Sequence, residues 1–256
     1  MTPDLKTMLI LCPLIFLAGF VDSVAGGGGL ISLPAYLLAG LPIHTAYGTN
    51  KLSATCGTAV SVWRYRKGGY IRLRPALTAA AGALGGSWLG AGLVTVLDEG
   101  ALQICLMAVL PAAAVFLLCN RGFGDREEDG EVPEPRRTLL SLAIGFVIGA
   151  YDGFFGPGTG TFLALAFTGL LHFSLTSATG TAKVVNLTSN LAALAVYILD
   201  GRVWYAVGLP AAVCGILGNY LGAGLAVKKG ARFIRPVLVC AVALLLVRVG
   251  RDFFRG

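Results

Sequence analysis

Long apolar runs follow one another along almost the whole chain, separated by short gaps that contain charged residues, glycine or proline. They lie at about 7–25, 30–40, 45–64, 75–97, 101–119, 138–154, 160–171, 175–199, 203–226 and 233–253. About 20 helical residues cross the ~30 Å hydrocarbon core of a bilayer, so most of these runs are long enough to span it. Charged residues make up only 13% of the 256 residues, too few to cover a soluble protein of this size. The pattern predicts an all-α polytopic membrane protein and excludes nucleic-acid binding, because the basic residues are confined to the gaps.

The second half of the chain repeats the first. The strongest correspondence has an offset of 130 residues and relates Gly19, Asp22, Gly26 and Gly28 to Gly149, Asp152, Gly156 and Gly158. At an offset of 132 residues, 48–51 resembles 180–183 and 86–93 resembles 218–225. We therefore expect a first transmembrane repeat over 1–119, a charged cytoplasmic linker over 120–137, and a second repeat over 138–256.

Each half begins with a long run and a run too short to span, separated by a glycine-rich break at 25–29 or 155–160. Such a pair either crosses twice or dips into the membrane and returns, so it adds an even number of crossings. Three full-length runs follow in each half, which makes the number of crossings per half odd. The sequence thus predicts two inverted-topology repeats, each with three full transmembrane helices plus a Gly-broken long/short helix pair.

Most lysines and arginines lie in three gaps, 64–74, 120–137 and 228–235, which the alternation of spans places on one face. Cytoplasmic loops of membrane proteins carry an excess of Lys and Arg. These gaps are predicted to be cytoplasmic and both termini periplasmic, although three arginines near the C-terminus oppose this orientation.

The glycine-rich breaks are candidate anion sites. A glycine-rich turn leaves backbone N–H groups free, and the helix that follows presents the positive end of its dipole. The candidate residues are Gly26, Gly27, Gly28, Gly29, Gly156, Gly158, Thr159 and Gly160. The alternative is that these glycines only allow helices to pack closely.

Two lysines within apolar runs, Lys51 and Lys183, are the second candidate feature. A lysine at the centre of a transmembrane helix costs about 2.5–3.5 kcal/mol, so its presence favours a functional role. The polar neighbours assigned to the same anion site are Thr49, Asn50, Thr181, Asn186 and Asn190. Thr55, Thr188 and Ser189 are assigned only to hydrogen bonds between helices.

Asp22 and Asp152 occupy equivalent positions four residues before each break. Either carboxylate could take up a proton that couples transport, or pair with a lysine and neutralise it. Pairing with backbone N–H groups at a helix end is an equally open interpretation.

No catalytic or metal-binding pattern is found. Each of the six cysteines stands alone, and neither nucleophile nor zinc motifs occur. No enzyme activity, metal or cofactor is therefore expected. Glycines four residues apart, at Gly82, Gly86 and Gly90 and at Gly218 and Gly222, predict close packing of the two halves, with a homodimer seam as the alternative.

Several of these strings together resemble the sulfite exporter TauE/SafE family of bacterial inner-membrane proteins. They are 25–34, 48–52, 155–160 and 181–186, and the resemblance covers essentially the whole chain. It implies a secondary transporter of a small sulfur-containing anion such as sulfite or sulfoacetate, located in the inner membrane. The residues themselves indicate only an anion, and an anion channel of the same architecture is the alternative.

Overall fold

The computed structural model describes residues 5–98, 100–102, 132–234 and 236–237, and all secondary structure in these ranges is helical. The helices are α1 (Leu5–Ala25), α2 (Gly29–Leu38), α3 (Ile43–Lys67), α4 (Leu73–Val96), α5 (Glu134–Phe154), α6 (Thr159–Leu171), α7 (Leu175–Leu199) and α8 (Tyr205–Lys229). Each follows a predicted apolar run to within a few residues, which confirms the all-α prediction.

Five of these helices are long and apolar enough to cross a membrane, namely Thr7–Ala25 within α1, together with α4, α5, α7 and α8. Helix α3 is equally long at 25 residues, but its polar residues around Lys51 lower its hydropathy. The predicted third full span of each half, at 101–119 and 233–253, lies almost wholly outside the described residues. Since α5 begins at Glu134, the last four residues of the predicted 120–137 linker are helical.

Helices α3 and α7 pack against each other in opposite directions. Near the start of α3, the Lys51 Nζ atom lies 2.9 Å from the Asn190 Oδ1 atom, in the second half of α7. Near the end of α3, Tyr65 lies against Gly180, in the first half of α7. The two central helices, which occupy equivalent places in the repeat, are therefore antiparallel.

Helices α8 and α1 run in the same direction as α3. The Trp204 N–H, at the start of α8, donates to Thr49 Oγ1 at 3.0 Å, and Ser61 Oγ donates to Asn219 Oδ1 at 2.7 Å further along both helices. Along α1 and α8 the close approaches are Gly19 to Gly215 and Ser23 to Gly222.

Helices α4 and α5 run in the same direction as α7. The Arg72 N–H donates to Thr181 Oγ1 at 3.1 Å, and Ser87 Oγ donates to the Ser189 carbonyl at 2.6 Å. Along α4 and α5 the close approaches are Gly82 to Leu142, Gly86 to Phe146 and Gly90 to Ala150. The predicted role of these glycines in packing one half against the other is thus confirmed, as it is for Gly218 and Gly222 against α1.

The two glycine-rich breaks meet. Gly26, with φ of +78°, lies so close to the backbone of Gly160 that no side chain fits at either position. Thr161 Oγ1 donates across the same contact to the Ala25 carbonyl at 2.6 Å. Because α1 and α3 run in the same direction, α2 returns the chain toward the end at which α1 begins. Its 10 residues rise about 15 Å, roughly half the thickness of the hydrocarbon core.

Candidate functional site

A small cavity lies beside the meeting point of the breaks. Its volume is about 50 Å³. One water needs roughly 10–15 Å³, so the cavity has room for a few waters or one small ion. The polar and glycine residues that line it are Gly19, Asp22, Gly26, Gly28, Gly29, Ser32, Asn50, Lys51, Ser53, Thr58, Asp152, Gly156, Asn186, Asn190, Gly215 and Asn219.

Lys51 forms a buried ion pair on one wall of this cavity. Its Nζ atom lies 2.8 Å from Asp152 Oδ2 and 2.9 Å from Asn190 Oδ1. Ser189 Oγ donates to the same Asp152 oxygen at 2.5 Å. The side chains of Lys51 and Asp152 are only 3% and 2% exposed, so the pair is shielded from water. An ammonium group has three donors, and two acceptors use two of them, which leaves one for a ligand.

Lys183 forms a second ion pair. Its Nζ atom lies 2.9 Å from Asp22 Oδ2 and also donates to the Asp22 backbone carbonyl. The Lys183 side chain is fully buried and does not line the cavity, whereas the Asp22 side chain is 16% exposed and does. The Asp22 carboxylate therefore stands between Lys183 and the cavity.

Each ion pair joins a lysine of one half to an aspartate of the other half. Lys51 of the first half pairs with Asp152 of the second, while Lys183 of the second pairs with Asp22 of the first. Each lysine also lies at the C-terminal end of the broken helix from the other half, where the helix dipole stabilises a cation. Of the interpretations open for the two aspartates, pairing with lysine is the one observed.

The pairs differ in their surroundings. At the offset of 132 residues, the positions equivalent to Ser189 and Asn190 are Gly57 and Thr58. Neither makes a described contact with Asp22 or Lys183, so the second ion pair lacks the hydroxyl and amide that hold the first. The local symmetry of the repeat is broken at this point.

The two breaks contribute unequally to the cavity: Gly26, Gly28 and Gly29 of the first break line it, whereas Gly156 is the one described residue of the second break that does. Gly28 and Gly29 line the cavity, and among the described residues nothing accepts a hydrogen bond from their N–H groups. Gly158, Thr159 and Gly160 lie outside it, and Gly26 covers the start of α6. The predicted equivalence of Gly28 and Gly158 also fails in the backbone, because φ is −58° at Gly28 and +81° at Gly158.

Asn50 carries a polar atom without a partner. Its Oδ1 atom is buried, the residue is 8% exposed, and no described residue donates to that atom. A buried amide without a hydrogen bond costs about 1–3 kcal/mol. The unpaired atom is an acceptor, so it can bind a water molecule or the donor group of a ligand in the cavity.

The structure brings together some of the predicted site residues and separates others. Those that line the cavity are Asp22, Gly26, Gly28, Gly29, Asn50, Lys51, Asp152, Gly156, Asn186 and Asn190. Those outside it are Gly27, Thr49, Gly158, Thr159, Gly160, Thr181 and Lys183. The hydroxyls of Thr49 and Thr181 accept from the backbone N–H groups that precede α8 and α4, so both threonines have a structural function.

Other residues of the site were missed from the sequence. Ser189 makes the predicted hydrogen bond between helices, but its acceptor is the site carboxylate Asp152, which the sequence did not indicate. Thr55 and Thr188 bond instead to carbonyls of their own helices. Ser53 and Thr58 share the α3 face of Asn50, a helical spacing that could have identified them. No spacing from a predicted site residue identifies Asn219, which also lines the cavity.

Helices of membrane-spanning length around a buried, charged cavity define a multi-pass membrane protein with an internal site of ion size. Comparison with known proteins identifies it further. The chain belongs to the sulfite exporter TauE/SafE family, because the sequence model of that family matches residues 11–249. It is a membrane transporter.

Three relatives illustrate this membership. "Probable membrane transporter protein ORF9" of Sinorhizobium sp is 37% identical, over 93% of this chain and 90% of the relative. "Probable membrane transporter protein" of Haemophilus influenzae is 35% identical, over 93% and 92%. "Probable membrane transporter protein YfcA" of Escherichia coli K12 is 38% identical, over 92% and 87%. No solved structure gives a significant match.

Proposed function

We propose that this protein is a secondary transporter that moves a small anion across the bacterial inner membrane by alternating access. The anion is a sulfur oxyanion of the sulfite type, as the family description "sulfite exporter" suggests, or an organosulfonate such as sulfoacetate. The observation that carries the proposal is the cavity beside the meeting breaks, because hydrogen-bond donors from several helices converge there.

The donors suit an oxyanion. Lys51 supplies one N–H that neither Asp152 nor Asn190 uses. Asn50 also lines the cavity, and the Nδ2 group of its side-chain amide is the donor that we propose for the anion, since its unpaired Oδ1 atom is an acceptor. Gly28 and Gly29 supply backbone N–H groups at the start of α2, where the helix dipole attracts negative charge. A volume near 50 Å³ favours a compact anion.

We propose that the two halves are inverted repeats, over 1–119 and 138–256, joined by a cytoplasmic linker. Three observations support this arrangement. The equivalent helices α3 and α7 are antiparallel. The repeat relates α1 to α5 and α8 to α4, so the parallel pair α1–α8 in one half-to-half contact corresponds to the parallel pair α5–α4 in the other. It likewise relates the Lys51–Asp152 ion pair to the Lys183–Asp22 ion pair. Rocking of such halves about a central site is a general mechanism of alternating access.

Binding to the purified protein tests the proposal. Sulfite, sulfate, thiosulfate, sulfoacetate and taurine are added separately, and the shift in thermal unfolding temperature is measured. We expect at least one of the anions to stabilise the parent protein in a saturable manner. The Asn50→Ala variant should bind that anion several-fold to about tenfold more weakly, because a net hydrogen bond contributes about 0.5–1.5 kcal/mol.

Thr55→Ala is the matched control, since Thr55 lies one turn further along α3 and bonds only to the Lys51 carbonyl. It should bind as the parent does. If none of the five compounds binds, or if Asn50→Ala binds as tightly as the parent, the proposed site is wrong. Saturable binding with uptake that cannot be driven against a gradient would indicate an anion channel instead.

A further inference from the structure

We infer that Asp22 is an exchangeable counter-ion of Lys183, so that the protein binds each substrate anion together with one proton. This inference rests on the proposed function and names the residue that couples transport of the anion to a proton gradient. It follows from the charge balance of the site and from the difference between its two ion pairs.

The site is electrically balanced before an anion enters. Lys51 and Lys183 carry two positive charges, and Asp22 and Asp152 carry two negative charges. An added anion would leave its own negative charge, one for hydrogen sulfite and two for sulfate or sulfoacetate, uncompensated among buried helices, where an unpaired charge is costly. Protonation of one carboxylate cancels one of these charges, because it frees one ammonium group for the anion.

Asp22 is the carboxylate that the structure makes available. Its side chain lines the cavity and is 16% exposed, and among the described residues its carboxylate pairs with Lys183 alone. Asp152 is 2% exposed and binds both Lys51 and Ser189, at 2.8 and 2.5 Å. Release of Asp152 would break a larger hydrogen-bonded network, which includes Asn190.

Lys183 remains in place when the carboxylate departs. Its ammonium also donates to the Asp22 backbone carbonyl, at the C-terminal end of α1. The backbone contact and the helix dipole continue to hold the ammonium after the side chain becomes neutral. A rotation of Asp22 toward the cavity would then open Lys183 to the anion.

The groups around Asp22 are few. Lys183 faces it from α7, Lys51 and Tyr65 from α3, and Asp152 from α5 across the cavity. Ser32 of α2 and Asn219 of α8 line the same cavity and are uncharged. In the proposed step a proton from water joins the Asp22 carboxylate, its ion pair with Lys183 ends, and the ammonium pairs with the anion. Release of the anion returns the proton to water and restores the ion pair.

Proton uptake linked to anion binding tests this inference. Purified protein in weakly buffered detergent solution is mixed with sulfoacetate or sulfate, both fully ionised at neutral pH, and a pH indicator records the protons taken up. We expect the parent to take up about one proton per anion bound, and its Kd should therefore change by up to about tenfold per pH unit. Asp22→Asn should bind the anion without proton uptake and with little dependence on pH.

Asp200→Asn is the control, because it makes the same chemical change in an exposed surface ion pair with Arg202. It should take up a proton as the parent does. If Asp22→Asn does not fold with Lys183 unpaired, the number of protons that the parent takes up per anion bound decides the inference by itself.

Two results would overturn the inference alone: the parent binds the anion without proton uptake, or a folded variant that lacks the Asp22 carboxylate still takes up a proton. If no screened anion binds to the parent, the proposed function itself fails, and the coupling inference falls with it.

Discussion

At the scale of single residues, the two buried ion pairs matter for folding and for the proposed function. Transfer of four charged side chains into the interior of a membrane protein is costly, and mutual pairing offsets that cost. Lys51 and Asp152 are almost fully enclosed, so bulk water cannot replace a partner that is lost. Neutral substitutions in this pair therefore affect stability as well as binding.

The Lys51→Met variant should be strongly destabilised. It leaves the Asp152 carboxylate buried without its cation, and the loss of one partner of a buried pair costs about 3–5 kcal/mol. The double variant Lys51→Met/Asp152→Asn removes both charges and should recover much of that loss. Thermal unfolding of the detergent-solubilised proteins measures both effects. A single variant as stable as the parent would contradict the assigned ion pair.

At the scale of helices, glycine allows the two halves to approach. Along α4, Gly82, Gly86 and Gly90 contact the backbone of α5, whereas Gly85 and Gly92 face open space. Adjacent glycines on one helix thus have opposite packing roles, which provides a test with an internal control.

Gly86→Ala should be destabilised and Gly85→Ala should not. A Cβ at position 86 would clash with the Phe146 carbonyl oxygen, and overpacking costs about 1–3 kcal/mol or more. Substitution at an unobstructed position usually changes stability by no more than about 0.5 kcal/mol. The comparison needs only the thermal unfolding temperatures of the two variants and the parent. Equal temperatures for the two variants would contradict the packing of α4 on α5.

The helices were predictable from sequence because hydropathy and glycine-rich breaks are local signals. The equivalence of Lys51 with Lys183, and of Asp22 with Asp152, was predictable from the internal repeat. Their pairing across the halves was not, because no local pattern shows which residues of distant helices meet. The same limit explains why Thr49 and Thr181 were assigned to the anion site, since their partners are backbone groups of other helices.

At the scale of the whole molecule, the inverted arrangement makes a prediction about the faces of the membrane. Lys67 and Leu199 are equivalent by the repeat, and they end the antiparallel helices α3 and α7. Cysteines introduced at these positions should lie on opposite faces. A membrane-impermeant thiol reagent applied to intact cells should label Leu199→Cys but not Lys67→Cys, with the parent protein as the blank.

Labelling of both positions from the same face would contradict the inverted repeat. Labelling of Lys67→Cys alone would preserve the inversion but reverse the orientation predicted from the Lys and Arg gaps.

The central claim is that the cavity carries an anion through alternating access, and counterflow in proteoliposomes tests it most directly. Vesicles that contain the purified protein are loaded with a high concentration of the bound anion and diluted into a trace of the same anion with a radioactive label. A transporter should accumulate the label transiently above its external concentration, because unlabelled anion that leaves allows labelled anion to enter through the same site. Label that only equilibrates, without an overshoot, would contradict alternating access and indicate a channel.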